Sequence, residues 1–198
     1  MDEKRPSPPV DFNSTVATVD AWAAPAWFPA LLLGLYLLWF AGWAIHPFSR
    51  EVWLAENLPI VAIVVVLALA WRWFRFSVAA YALMAVLVFL HTLGGHFTFE
   101  RVPFDWITSL CGFERNHFDR MAHFSVGFYA YPAAELLLRR RWVNSKGVLF
   151  LFPLFMILAV ASIYEIIEWI SAALSDPAAG SAFLGSQGDV WDAQKDML

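Results

Sequence analysis

Asp119 and His123 stand four positions apart in NHFDRMAHFSVGF, a spacing that brings both onto one face of a helix, a turn apart. Glu165 and Glu168 share a face in the same way in YEIIEWI, and Asp189, Asp192 and Asp196 form an acidic stripe in GDVWDAQKDML. With His91, His96 and His117 in the stretch 91–120, these groups offer two kinds of chemistry. Imidazole and carboxylate together suit Zn, Mn or Fe. Neither H-E-x-x-H nor the paired Glu-x-x-His of di-iron bundles is present, so a divalent metal rests on convergence of the side chains alone. Without a metal, the same groups suit general acid/base chemistry on a membrane-borne substrate, because burial and like-charged neighbours lift a carboxylate pKa toward neutrality. The candidate catalytic residues are Asp119, His123, Glu165, Asp189 and Asp192, with no residues assigned to an organic cofactor. A structural role stays open for each: capping for Asp119, retreat to the membrane interface for Glu165 and Glu168, and complementing a helix N-terminus for Asp189. Arg101, Arg115 and Arg120 would then pair with acids to hold an outer loop against the helices.

Whatever positions these groups must do so in lipid. Of 198 residues, 60% are hydrophobic and only 15% charged, against about 45–50% and about 25% in soluble domains. The mean hydropathy is +0.58. Several separate long apolar runs need a bilayer to bury them. A net charge of −4 argues against nucleic acid, which requires a clustered basic surface. The single cysteine, Cys111, can form neither an intrachain disulfide nor a cysteine metal site and is expected to be a small interfacial residue. Residues 1–25 are polar at the start, lack the apolar core of a signal peptide, and are expected to be a disordered cytoplasmic tail.

Residues 26–198 are expected to form a single transmembrane domain, an all-α polytopic bundle with five complete spans and the start of a sixth. The first span covers Ala26 to Ile45. Glu51 and Glu56 are placed in a short loop before a second span that begins at Pro59. The third runs from about Phe76 to Leu90 and is ended by Gly94 and Gly95, and residues 92–118 make an outer polar loop. The fourth begins near Asp119, with a kink at Pro132, and the fifth runs from about Gly147 to Leu174. The segment from Gly188 opens a helix too short to cross, which predicts a chain that stops before its sixth span is complete. Lys4, Arg5, Arg72, Arg75, Arg139, Arg140, Arg141 and Lys146 outnumber Arg50, Arg101, Arg115, Arg120 and Lys195 on the other side. The positive-inside rule therefore puts the N-terminus in the cytoplasm and the polar residues at the outer ends of their helices. Glu135, a turn before Arg139, is expected to pair with it.

The segments HTLGGHFTFERVPFDW, NHFDRMAHFSVGF, YEIIEWI and LGSQGDVWDAQKDM, in this order, resemble the YjdF-like family of bacterial inner-membrane proteins, a family of unknown function. The resemblance covers most of the chain from the second span onward. It matches Gly94, Gly95, Asp119, Arg120 and His123 to the central motif, and Glu165, Glu168 and Trp169 to the helical one. Gln187, Gly188, Asp189, Trp191, Asp192 and Asp196 match the last. A more distant likeness is to VanZ-like membrane proteins, through Asp119, His123, Glu165, Asp189 and Asp192, and it implies a role in the cell envelope. The expected protein is thus an inner-membrane protein with an outward-facing His/Asp/Glu site for a lipid or envelope substrate. A transporter that uses the cluster for proton or cation coupling, and a membrane scaffold, are the alternatives.

Overall fold

The computed structural model describes residues 22–174, 184 and 186–197. Most of the expected N-terminal tail, and Leu198, lie outside the described residues. The elements are α1 (Trp27–Trp43), α2 (Arg50–Ala70), α3 (Val78–Phe97), α4 (Asp105–Cys111), α5 (Phe118–Val126), a 3-10 turn (Gly127–Tyr129), α6 (Ala130–Arg139), α7 (Lys146–Leu174) and α8 (Asp192–Asp196). Among the described residues the only strand-like pairing is an isolated bridge between Ala23 and Ser77. By length and apolarity α2, α3 and α7 can each cross a membrane, and α1 is a shorter apolar helix.

The burial pattern is that of a protein solvated by lipid. On α7 the buried residues are Pro153, Glu165 and Glu168, while Phe150, Phe155, Ile163, Ile166 and Ile170 are exposed. In water that distribution would leave a large apolar surface wet and the acids unhydrated, whereas in a bilayer it is the favourable one. α3 is the hub, packed against α1, α2, α5 and α6. Half of its apolar window is buried, against 28% for α2 and 6% for α7.

Three boundaries differ from the sequence expectation. α2 starts at Arg50, not Pro59: Ser49 caps it by accepting from the Val52 amide (3.3 Å), and Glu51 and Glu56 lie inside the helix. Pro59 is accommodated within it, as prolines are in membrane helices whose freed carbonyls find other partners. α3 runs through Gly94 and Gly95 to Phe97 and stops only where Thr98 and Phe99 turn left-handed (φ 55° and 53°). The glycines are there for proximity. A Cβ on Gly94 would overlap the Phe99 ring, and one on Gly95 would lie 2.9 Å from Asn57 Nδ2 and 3.2 Å from Glu56 Cβ. The fourth segment is not one helix bent at Pro132 but two, α5 and α6, joined by the 3-10 turn just before that proline. Pro132 has no amide to donate back to Phe128, and the tighter turn falls where that bond is missing.

At the end of the bundle where α2 finishes and α3 begins, Glu135 does pair with Arg139 (2.6 Å), as its spacing predicts. It also accepts from the Ser77 amide (2.8 Å) and hydroxyl (2.6 Å), and Ser77 in turn caps α3 through the Ala80 amide (3.1 Å). Arg139 and Arg140 donate to the carbonyls of Arg75 and Trp73 and stack on Phe74, which fastens α6 to the α2–α3 turn.

Candidate functional site

At the opposite end, the first turns of α2 and α5, the last turns of α3 and the second half of α7 converge. α5 presents Asp119 and His123 on one face, as their spacing requires, and His123 Nε2 lies 3.4 Å from Asp119 Oδ1. Its Nδ1 is 3.7 Å from Glu165 Oε1 on α7. Asp119 and Glu165 are 8% and 9% exposed, so His123 stands between two buried carboxylates. Asp196 of α8 completes a group in which Asp119, His123 and Asp196 each offer a ligand atom within 4.8 Å of the others. Burial, reinforced by the Asp119 charge, pushes the Asp196 carboxyl up to about 6.

Behind His123 lies a layer in which His91 is expected from the sequence and Glu56 is not. Tyr164 donates to Glu56 Oε2 (2.8 Å) and stands 3.3 Å from His91 Nε2, which is itself 3.7 Å from Glu56. Glu56 is 2% exposed, and Asn57 beside it donates to the Trp53 carbonyl (2.9 Å). The signal was present. Val52, Trp53, Glu56, Asn57 and Ile60 make the buried stripe of a helix that opens at Ser49, and an acid on such a stripe faces the bundle. A helix that started at Pro59 would leave Glu56 in the preceding loop.

Asp189 and Asp192 are brought to the same end but not to His123. Asp192 accepts from Arg115 Nη1 (2.7 Å) and Arg120 Nη2 (3.1 Å), and Asp189 from Arg120 Nη2 (2.6 Å) and Lys195 Nζ (2.6 Å). Asp189 precedes α8 rather than lying on it, and the Lys195 ammonium and the Trp191 amide hold its carboxyl well below the usual carboxylate range. Arg115 also donates to the Ser186 carbonyl (2.8 Å), Gln187 to that of Asn116 (3.0 Å), and Asn116 to those of Glu100 and Val102 (3.1 and 2.8 Å). The C-terminal segment is thus laced across the site by the loop after α4. His117 Nδ1 accepts from Arg120 Nη1 (3.1 Å), and its pKa is lowered by burial and by the Arg120 and Arg115 charges. His96 is bound to the Trp43 carbonyl (2.8 Å) and ties α3 to α1, away from the cluster. Glu168 is buried beside the cluster at 9% exposure.

Two features set this cluster apart from a finished structural network. Arg115 and Arg120 are engaged by Asp189 and Asp192, and among the described residues no lysine or arginine is paired with Glu56, Asp119, Glu165 or Glu168. Moreover Glu165 Oε1 and Asp196 Oδ1 are buried without a hydrogen-bond partner among the described residues, where native networks satisfy nearly all such atoms. The residues fit a divalent cation or an acid/base role. A cavity between α1, α2 and α3, lined by Leu33, Tyr36, Leu67, Met84 and Val88, is apolar and shares no residue with the cluster.

Residues 28–198 match the family described as predicted membrane protein (DUF2238). The chain is similar to inner membrane protein YjdF of Escherichia coli (strain K12), with 32% identity over 171 residues, which is 85% of this chain and 80% of that protein. No solved structure matches it.

Proposed function

The chain belongs to the DUF2238 family of membrane proteins, and from that premise we propose that it binds or transforms a lipid or other cell-envelope substrate at an outward-facing polar site. In this reading α1 and the α5–α6 pair count with α2, α3 and α7 as five spans, and the N-terminus is cytoplasmic. His123, Asp119 and Glu165 work at the substrate. Asp189 and Asp192 hold the covering segment through Arg115 and Arg120.

The observation that carries the proposal is His123 held between Asp119 at 3.4 Å and Glu165 at 3.7 Å, with the Glu165 oxygen unpartnered. An imidazole flanked by carboxylates can shuttle a proton or grip a headgroup, and a scaffold has no use for an unsatisfied buried acid. Transport would call for polar side chains through the middle of the bilayer. Here the buried cluster that packs α1, α2 and α3 together, Tyr36, Ile60, Leu87 and Val88, is apolar but for the Tyr36 hydroxyl, which is bonded to Thr92 (3.3 Å).

The test is photo-crosslinking of the full chain in native membranes with clickable, photoactivatable phospholipid analogues. His123→Ala and Glu165→Gln are expected to lower headgroup-region labelling severalfold at unchanged amounts of folded protein. Equal labelling by both variants, or proton flux through reconstituted vesicles that depends on His123, would replace this reading with the scaffold or the transporter.

A further inference from the structure

We infer that Asp119, His123 and Asp196 form a binding site for one divalent transition-metal ion of the zinc class, with Glu165 orienting His123. The inference deepens the site reading above and rests on it for the accessibility of the cluster from the outer face. Its basis is geometric. His123 Nε2 and Asp119 Oδ1 are 3.4 Å apart, long for a hydrogen bond, which runs about 2.7–3.2 Å. Two ligands on adjacent vertices of a tetrahedron with bonds of about 2.0–2.2 Å are separated by about 3.3–3.6 Å. The pair therefore already has the spacing of two ligands around one ion, and Asp196 offers its oxygen within 4.8 Å of both.

The other side of the ring supplies an independent observation. A histidine that binds metal through one nitrogen commonly gives its other N–H to a carboxylate, which fixes the tautomer and raises its basicity. Glu165 Oε1 faces His123 Nδ1 at 3.7 Å, belongs to a residue that is nine-tenths buried, and has no hydrogen-bond partner among the described residues. If Nε2 holds the ion, Nδ1 carries a proton directed at that oxygen. The charge points the same way. Asp119, Glu165, Glu168 and Asp196 gather around one imidazole, and among the described residues the lysine or arginine that pairs with any of them is Arg120, whose Nε is 3.9 Å from Asp196 while its Nη2 is held by Asp189 and Asp192. Like charges at low dielectric need a cation or protons among them, and a divalent ion on the triad supplies the cation. One imidazole and two carboxylates are ligands that Zn2+ and Mn2+ accept. Three protein ligands leave a fourth position for water or a substrate oxygen, as catalytic sites do.

The full chain, purified in detergent and stripped of metal by chelator, is titrated with Zn2+ against a chromogenic competitor, and bound metal is counted by atomic emission. One Zn2+ per chain is expected. His123→Ala and Asp119→Asn should lower the affinity at least a hundredfold, and Glu165→Gln about 10–100-fold as a loss of the orienting group. Thermal unfolding of the metal-free variants checks that each is folded. Should His123→Ala fail to fold, Co2+ added to the unmodified chain must give the intense visible absorption of a four-coordinate site. The inference is overturned by no saturable Zn2+ binding at micromolar concentrations, by unchanged affinity in His123→Ala, or by the weak spectrum of six-coordinate Co2+. Photo-crosslinking in the metal-free protein separates the two readings: labelling that still depends on His123 without zinc binding leaves the substrate site and removes the metal.

Discussion

Tyr164 is the residue through which the two buried layers communicate: its hydroxyl serves Glu56 at 2.8 Å, and its ring meets those of His91 and His123 edge-on. Removing that hydroxyl leaves a buried carboxylate oxygen short of its donor, which costs about 1–3 kcal/mol. Tyr164→Phe is accordingly expected to lower the detergent-solubilised protein's unfolding midpoint, measured by thermal or denaturant titration; an unchanged midpoint would mean that Glu56 does not depend on this donor. A second prediction concerns pH. Asp189 has its carboxyl held below the usual range by Lys195, the Trp191 amide and Arg120, with Arg115 and Asp192 also facing it. A depressed folded-state pKa contributes stability that is present above the ordinary aspartate value of about 3.9 and is lost as pH falls further. Protease resistance of the 186–197 segment should not fall between neutral pH and about 4, rising if anything as the Asp196 carboxyl, pushed up to about 6, takes its proton, and should be lost progressively below that. Loss of protection already near pH 6 would show that the latch depends on another group. Asp119, His123 and Glu165 were legible in the sequence because helical spacing is a local property and an acid in an apolar run must face inward. Glu56 was not, because its place depends on where a helix begins.

Among the elements, α3 is held close to α2 by what it lacks. By sequence the Gly-Gly pair reads as a helix terminator, since glycine is the usual residue there. Its actual service is to let Asn57 and Glu56 approach the α3 backbone, and only the packed neighbour distinguishes the two uses. Gly95→Ala places a methyl 2.9 Å from Asn57 Nδ2 and 3.2 Å from Glu56 Cβ, and Asn57 is pinned by its bond to Trp53. Overpacking of this kind costs about 1–3 kcal/mol. The variant should lower the unfolding midpoint and also weaken labelling at the His123 site, because Glu56 moves with α2. A midpoint equal to that of the parent chain would show that the helices can part freely. The break between α5 and α6 was only half visible: Pro132 announced a disturbance, but the 3-10 turn precedes it by the reach of one missing hydrogen bond.

For the whole molecule, the membrane character was plain from composition, while the number of spans was not, since α1 and the α5–α6 pair are short or interrupted and length alone does not classify them. The orientation we propose rests on which end carries the arginines. Reporter fusions after Arg75 and Arg141 are expected to be cytoplasmic and one near Phe104 exported, and the reverse pattern would turn the His123 cluster toward the cytoplasm. α7 is longer than a bilayer needs. Its 29 residues reach about 43 Å against a hydrocarbon thickness of about 30 Å, and the buried side chains on it are Pro153, Glu165 and Glu168. Such an excess is taken up by tilt or protrusion, and which of these prevails is set by the thickness of the surrounding bilayer as well as by neighbouring helices. Glu165, the carboxylate that faces His123, is therefore mounted on a helix that acyl chains grip more than protein does, and its height beside the imidazole is coupled to the composition of the membrane itself.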